Sequence, residues 1–138
     1  MVRCTALFDK RLAKQRTMKN MRWGWILVGG FLAEVLVFLI VIPWSVLAGR
    51  ESLVYSAPLA SFVATFPFGL WVALKAGRRF VLHGLFVGVV ASAIYVGITL
   101  GRPEPIAYVV AHVLKVLGGI TGGYVAATVQ RGRPIQHT

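Results

Sequence analysis

The chain has 138 residues, of which 57% are hydrophobic and only 14% are charged. Soluble domains are about 45–50% apolar and about 25% charged, and a globule of this size cannot bury so large an apolar excess. The same numbers exclude a disordered chain, because disordered segments contain few apolar residues. The composition therefore predicts an integral membrane protein with a single domain.

Charged residues divide the chain into four long apolar runs. A helix that spans the hydrocarbon layer needs about 20 mostly apolar residues, and each run is long enough. Backbone groups find no water within lipid, so these runs must be helical. The short connections make consecutive helices antiparallel neighbours. We predict an all-α, up-down-up-down bundle of four transmembrane helices, near residues 23–48, 53–75, 80–100 and 105–129.

The predicted membrane domain covers residues 22–130. A basic cytoplasmic tail, whose composition also suits disorder, precedes it at 1–21, and a second cytoplasmic tail follows at 131–138. A cleaved signal peptide is the alternative for the first apolar run. That run is longer than the apolar region of about 7–15 residues in signal peptides, which favours a spanning helix.

Lysine and arginine residues are concentrated on one side of the predicted bundle. Twelve lie in or directly beside the two tails and the second connection, whereas the first and third connections hold only Arg50 and Arg102. Basic segments remain in the cytoplasm, so both termini are predicted to be cytoplasmic. This topology, rather than nucleic-acid binding, accounts for the net charge of +11. We expect a multi-pass protein of the bacterial cytoplasmic (inner) membrane, with the lipid bilayer as its partner and no nucleic acid.

Aromatic side chains lie near both predicted membrane boundaries, where amphipathic rings are favoured. His83, three residues inside the third helix, is interpreted as a polar residue at the cytoplasmic boundary. The predicted aromatic belt consists of Trp23, Trp25, Trp71 and Tyr124 on the cytoplasmic side and Trp44, Tyr55, Tyr95 and Tyr108 on the outer side.

Two charged residues lie deep inside the predicted helices. Glu34 follows Trp23 by eleven positions and Lys115 follows Pro105 by ten. At 1.5 Å per residue, both lie about 15 Å into the layer, near its midplane. Ionisable groups at this depth are rare without a partner or a role. The first and fourth helices can be neighbours in a four-helix bundle, and a buried Glu34–Lys115 ion pair is the natural inference. His112 lies one turn away on the same helix face, where it either extends this polar cluster or bonds to a neighbouring backbone or hydroxyl group.

The polar cluster has two interpretations that the sequence leaves open. A buried pair fixes the register of two helices. Alternatively, Glu34, His112 and Lys115 surround a midplane site of a small proton-coupled transporter or carrier. The scarcity of other polar residues favours a non-enzymatic structural or partner-binding helix bundle. No residue pattern resembles a metal site or a hydrolase active site, so we predict no metal, no cofactor and no enzymatic activity, and any substrate stays unknown.

Small residues recur at helical spacing and mark the predicted packing faces, because they let helix backbones approach closely. These faces are expected to lie at least partly within the bundle, and a homo-oligomer seam is an open alternative. The predicted packing residues are Gly29, Gly30, Gly84, Gly88, Gly118, Gly119, Gly122 and Gly123.

Pro67 predicts a hinge or kink in the second helix. Proline removes a backbone donor and clashes with the preceding turn. The hydroxyls of Ser61 and Thr65 are close enough in sequence to bond the carbonyls that proline frees.

A shift of about 53–54 residues aligns the first helical hairpin with the second, for example Tyr55 with Tyr108 and Gly69 with Gly122. The alignment suggests two repeated hairpins related by an axis along the membrane normal. The alternative is that any two membrane hairpins share glycines and boundary aromatics.

Residues 29–35, Gly-Gly-Phe-Leu-Ala-Glu-Val, resemble a stretch in the first helix of the small multidrug resistance transporters. In those four-helix proteins the glutamate binds protons and cationic drugs, so the resemblance implies this role for Glu34. Over most of its length, the chain looks more like small uncharacterised bacterial four-helix integral membrane proteins. Their last helix ends in Gly-Gly-x-x-Gly-Gly-Tyr, here residues 118–124, and this second resemblance implies a fold but no function.

Overall fold

The computed structural model describes residues 21–99 and 106–132, and all regular structure within them is helical. The helix bounds lie within two residues of the predicted ones. A short 3-10 turn, Arg50–Ser52, connects the first two helices. The helices are α1, Trp23–Ala48; α2, Leu53–Ala76; α3, Phe80–Thr99; and α4, Ile106–Arg131. The predicted tails lie outside the described residues, apart from Met21 and residues 131–132.

All four helices are long and apolar enough to cross a bilayer. Between 28% and 50% of the most apolar segment of each helix is buried inside the bundle, so most large apolar side chains face outwards. Soluble monomers rarely expose contiguous apolar patches larger than a few hundred Å². The fold is therefore that of a small multi-pass membrane protein, as the sequence predicts.

The helices form a rhombus in cross-section. α2 and α3 contact each other in the middle, and both contact α1 on one side and α4 on the other. α1 and α4 lie at the two distant corners and make no backbone contact. The direct neighbouring of the first and fourth helices, which a four-helix bundle allows, is therefore not found at the backbone. The physical reason is that α4 packs closely against both α2 and α3, which brings these two helices together between α4 and α1.

The contacts do not have the symmetry of the suggested repeat. A two-fold axis along the membrane normal that exchanges α1 with α3 and α2 with α4 would convert the α2–α3 contact into an α4–α1 contact. Among the described residues only the first of these contacts exists. The packing therefore gives the repeated-hairpin arrangement no support.

One end of the bundle is closed by a compact core. We call this end, where α1 and α3 begin and α2 and α4 end, the basic end, and the other the opposite end. Ile26, Val72 and Val87 are fully buried there. Two edge-to-face aromatic pairs flank this core, Trp25 with Trp71 and Trp23 with Phe86, with ring centroids 5.2 and 5.4 Å apart.

Hydrogen bonds of His83 link the start of α3 to the start of α1. Its Nδ1 lies 3.1 Å from the carbonyl oxygen of Arg79, and its Nε2 accepts a long, 3.5 Å hydrogen bond from the backbone N–H of Arg22. This network assigns the imidazole proton to Nδ1, which donates to Arg79. The imidazole is fully buried within the bundle, three residues after the start of α3, and its position at the membrane boundary stays a prediction. The hydrogen bond from Arg22 gives a partner to an amide at the start of α1, where the first amides have none within their own helix.

α2 continues through Pro58 and Pro67 as one helix. The Thr65 hydroxyl donates to the carbonyl of Ser61 at 2.5 Å, and not to the carbonyl of Val63, whose helical donor Pro67 removes. The role of Pro67 as a hinge stays a prediction.

Candidate functional site

Glu34 and Lys115 form a buried ion pair inside the bundle. The Nζ atom of Lys115 lies 2.7 Å from one carboxylate oxygen of Glu34 and 3.0 Å from the other. Each side chain is only 2% exposed. Both carboxylate oxygens accept charge-assisted hydrogen bonds, and the pair has no net charge.

The pair links α1 and α4, whose backbones do not contact each other. The link is possible because both helices pack against α3 at the same level. A Cβ on Gly30 of α1 would lie 3.2 Å from the amide nitrogen of Ala91. A Cβ on Gly88 would lie 2.6 Å from the carbonyl oxygen of Lys115 on α4. Residues 88–91 of α3 thus hold α1 on one side and α4 on the other. The long side chains of Glu34 and Lys115 then span the remaining gap.

Tyr95, a predicted member of the aromatic belt, also belongs to the site. Its ring centroid lies 4.7 Å from the Nζ atom of Lys115, which is close enough for a cation–π interaction. The ring stacks between Phe38 and Tyr108 at centroid distances of 6.2 and 6.1 Å. Tyr95 and Tyr108 therefore contribute to an aromatic layer across the bundle. Their position in the outer belt stays a prediction.

His112 joins the cluster through Tyr95. The two rings meet at an angle of 62°, with centroids 5.1 Å apart. The structure thus brings together all three predicted members of the polar cluster, with Tyr95 contacting both Lys115 and His112. A tyrosine about one and a half turns from a predicted helix end carries no signal in hydropathy that would distinguish this role from a belt position.

A cavity of about 200 Å³ leads from this cluster towards the opposite end of the bundle. All four helices line it, with Lys115 at its inner end and Ser45 and Leu53 near its outer end. Its walls are mostly apolar. The bundle is therefore open between its helices on the opposite side of the ion pair and closed on the basic side.

The predicted glycine faces form contacts between helices of the same chain. All eight predicted glycines are buried. Those on α4 alternate between two neighbours: Gly118 and Gly122 meet Phe62 and Phe66 of α2, whereas Gly119 and Gly123 meet Gly84 and Phe80 of α3. Gly69, which is not among the predicted packing residues, also lies at a close contact: a Cβ there would lie 2.9 Å from the Cα of Gly119. These glycines are therefore not available as a seam between copies of the chain.

Replacing Tyr95 tests the contribution of its ring to the ion pair. We expect Tyr95→Leu to lower the free energy of unfolding by about 2 kcal/mol, the magnitude of a desolvated cation–π contact. Tyr95→Phe keeps an aromatic face over the ammonium and should cost clearly less. The measurement is unfolding in mixed detergent micelles followed by circular dichroism. Equal losses in the two variants would show that the ring face does not stabilise Lys115.

Comparisons with protein-family models, curated proteins and solved structures find no significant match to this chain. Its class is therefore defined by the fold and the site: a small four-helix membrane protein with a buried, charge-neutral ion pair next to an aromatic cavity.

Proposed function

We propose that this protein is a non-enzymatic structural or partner-binding helix bundle of the bacterial cytoplasmic membrane. The observation that carries the proposal is the closed Glu34–Lys115 pair. Of the four acidic residues of the chain, only Glu34 lies within one of the four described helices. Its carboxylate already has a cation bound to both oxygens, so the bundle presents no ready proton or cation carrier.

The ion pair has a structural task in this arrangement. α1 and α4 lack backbone contact, so the pair directly links the two corner helices. A charge placed alone at this depth would be strongly unfavourable, and each charge therefore needs the other in a single register. The pair thus favours one relative position of α1 and α4 over alternatives.

A flux assay in liposomes tests this proposal. The purified protein is reconstituted with a pH-sensitive dye inside the vesicles, and a pH gradient is imposed. We expect the wild-type protein to add no proton flux or cation uptake beyond that of protein-free vesicles. Flux that Glu34→Gln abolishes would overturn the proposal, provided that the variant reconstitutes to the same level and keeps its helix content.

A second candidate is a small proton-coupled carrier that uses Glu34, His112 and Lys115. The observation that favours it is the cavity, which reaches Lys115 from the opposite end while the basic end is closed. Access from one side at a time is the geometry that carriers use. This candidate predicts flux that Glu34→Gln abolishes and that Pro67→Ala slows, because Pro67 would act as the hinge.

The proposed orientation places both termini in the cytoplasm. The support is the distribution of lysine and arginine along the sequence. Of the described residues, Arg22, Lys75, Arg78, Arg79 and Arg131 lie at the basic end, and Arg50 lies at the opposite end. Reporter fusions after residues 50 and 102 should be active outside the cytoplasm, and fusions after residues 77 and 135 should be active inside. A C-terminal fusion with an extracytoplasmic signal would contradict this orientation.

A further inference from the structure

The cavity next to the ion pair has the size and position of a ligand site. Its volume of about 200 Å³ exceeds the roughly 150 Å³ of an engineered protein cavity that binds benzene. The cavity is partly open to the surroundings, and Ile42, which lines it, is 57% exposed. Small molecules dissolved in the membrane therefore have a path to the interior of the bundle.

The walls favour an aromatic ligand. Phe38, Tyr95, Tyr108 and His112 all line the cavity, and each is only partly buried, so part of each side chain remains accessible. Aromatic rings prefer offset-stacked or edge-to-face contacts with other rings. Four aromatic side chains from α1, α3 and α4 can supply such contacts to a flat molecule.

The charges at the inner end favour a neutral ligand. Lys115 and Glu34 cancel each other, and both side chains are almost fully buried. An anion would leave two negative groups competing for one ammonium, and a cation would leave two positive groups competing for one carboxylate. Either would place a net charge inside the bundle, which is strongly unfavourable in an apolar environment.

The same end favours a ligand with a hydrogen-bond acceptor. A lysine ammonium has three N–H donors, and the oxygens of Glu34 accept two of them. The third N–H has no oxygen acceptor among the described residues, and Lys115 lines the cavity beside the Tyr95 ring. A carbonyl oxygen can accept from it without removing Glu34.

We propose that this cavity is a binding site for a neutral aromatic compound of one or two rings that carries a carbonyl acceptor. The rings lie among Phe38, Tyr95 and Tyr108, and the carbonyl oxygen accepts a hydrogen bond from Lys115. The site needs no transport and no conformational change, so it stands independently of the proposed structural role.

Calorimetric titration of the protein in lipid nanodiscs with 2-acetylnaphthalene tests the proposal, with empty nanodiscs as the blank. We expect saturable binding at one site per chain. 2-Ethylnaphthalene, which has a nearly identical shape but no acceptor, should bind about tenfold more weakly, since a hydrogen bond from a charged donor is worth about that factor. 2-Naphthoate and 2-naphthylmethylammonium should bind more weakly still.

Variants locate the binding site. Ala57→Leu and Ser45→Leu both add volume to the cavity wall and should each reduce binding at least tenfold. Ala93→Leu is the matched control: it makes the same alanine-to-leucine change at an exposed position of α3 and should leave binding unchanged. The paired variant Glu34→Gln with Lys115→Met keeps the site neutral, and in it the preference for the ketone over the hydrocarbon should disappear.

Each alternative outcome overturns the proposal. Absence of saturable binding, or binding that survives both cavity-filling variants in correctly folded protein, excludes the site. Equal affinity for the ketone and the hydrocarbon excludes the hydrogen bond from Lys115. Tighter binding of the anion or the cation excludes the requirement for a neutral ligand. Proton flux in liposomes is measured separately, so failure of this proposal is distinguishable from failure of the structural one.

Discussion

Neutralising one partner of the Glu34–Lys115 pair is expected to lower the free energy of unfolding by about 3–5 kcal/mol, because the other charge is left buried without a partner. Glu34→Gln and Lys115→Met should each have this effect, since both side chains are only 2% exposed. The paired variant should lose much less, because hydrogen-bonding and apolar groups of similar size replace two charges that had to be desolvated. Unfolding in mixed micelles measures all four proteins of the double-mutant cycle.

The control for this cycle is Glu51→Gln. Glu51 is an exposed acid in the 3-10 turn, so its neutralisation should change stability by less than about 0.5 kcal/mol. A coupling energy near zero between positions 34 and 115 would show that the two charges do not depend on each other.

Adding one methyl group at Gly119 is expected to lower the free energy of unfolding by about 1–3 kcal/mol or more. The new Cβ would collide with the carbonyl oxygen of Gly84 and lie 3.2 Å from the amide nitrogen of Gly88. Backbone atoms of a neighbouring helix cannot move aside as a flexible side chain can. α3 and α4 would have to separate, and the contact that positions Lys115 would be disturbed with them.

Gly97→Ala is the matched control on α3. A Cβ at Gly97 would meet no atom within 4 Å, and the position is exposed. Alanine is the better helix former, so this variant should be as stable as the wild type or slightly more stable. Similar stability of Gly119→Ala and Gly97→Ala would mean that α3 and α4 do not pack as closely as described.

The sequence was sufficient to predict the helices and the identity of the paired charges. Span length follows from bilayer thickness, and the depth of Glu34 and Lys115 follows from the rise per residue. A charged group that deep has few alternatives to a partner, and the chain offers one oppositely charged group at the same depth. These predictions depend on distance along one helix axis, which a sequence records directly.

The arrangement of the helices around one another was not predictable in the same way. Apolar helices in lipid have hydrophobic residues on nearly every face, so hydropathy does not report which face points inward. The position of α1 opposite α4 and the inward placement of Tyr95 depend on this rotation. Glycine spacing carries part of the missing signal: the alternation of Gly118 and Gly119 implies that α4 has two close neighbours, and these are α2 and α3.

The folded yield of a variant in which the two charges are exchanged tests the pairing of Glu34 and Lys115 most directly. Glu34→Lys alone and Lys115→Glu alone each place two like charges together inside the bundle, and both variants should yield little folded protein. We predict that the exchanged variant, which carries both changes, recovers most of the folded yield and helix content, because an opposite pair is restored across the same gap. An exchanged variant no better folded than the worse single variant would contradict the pairing that connects α1 to α4.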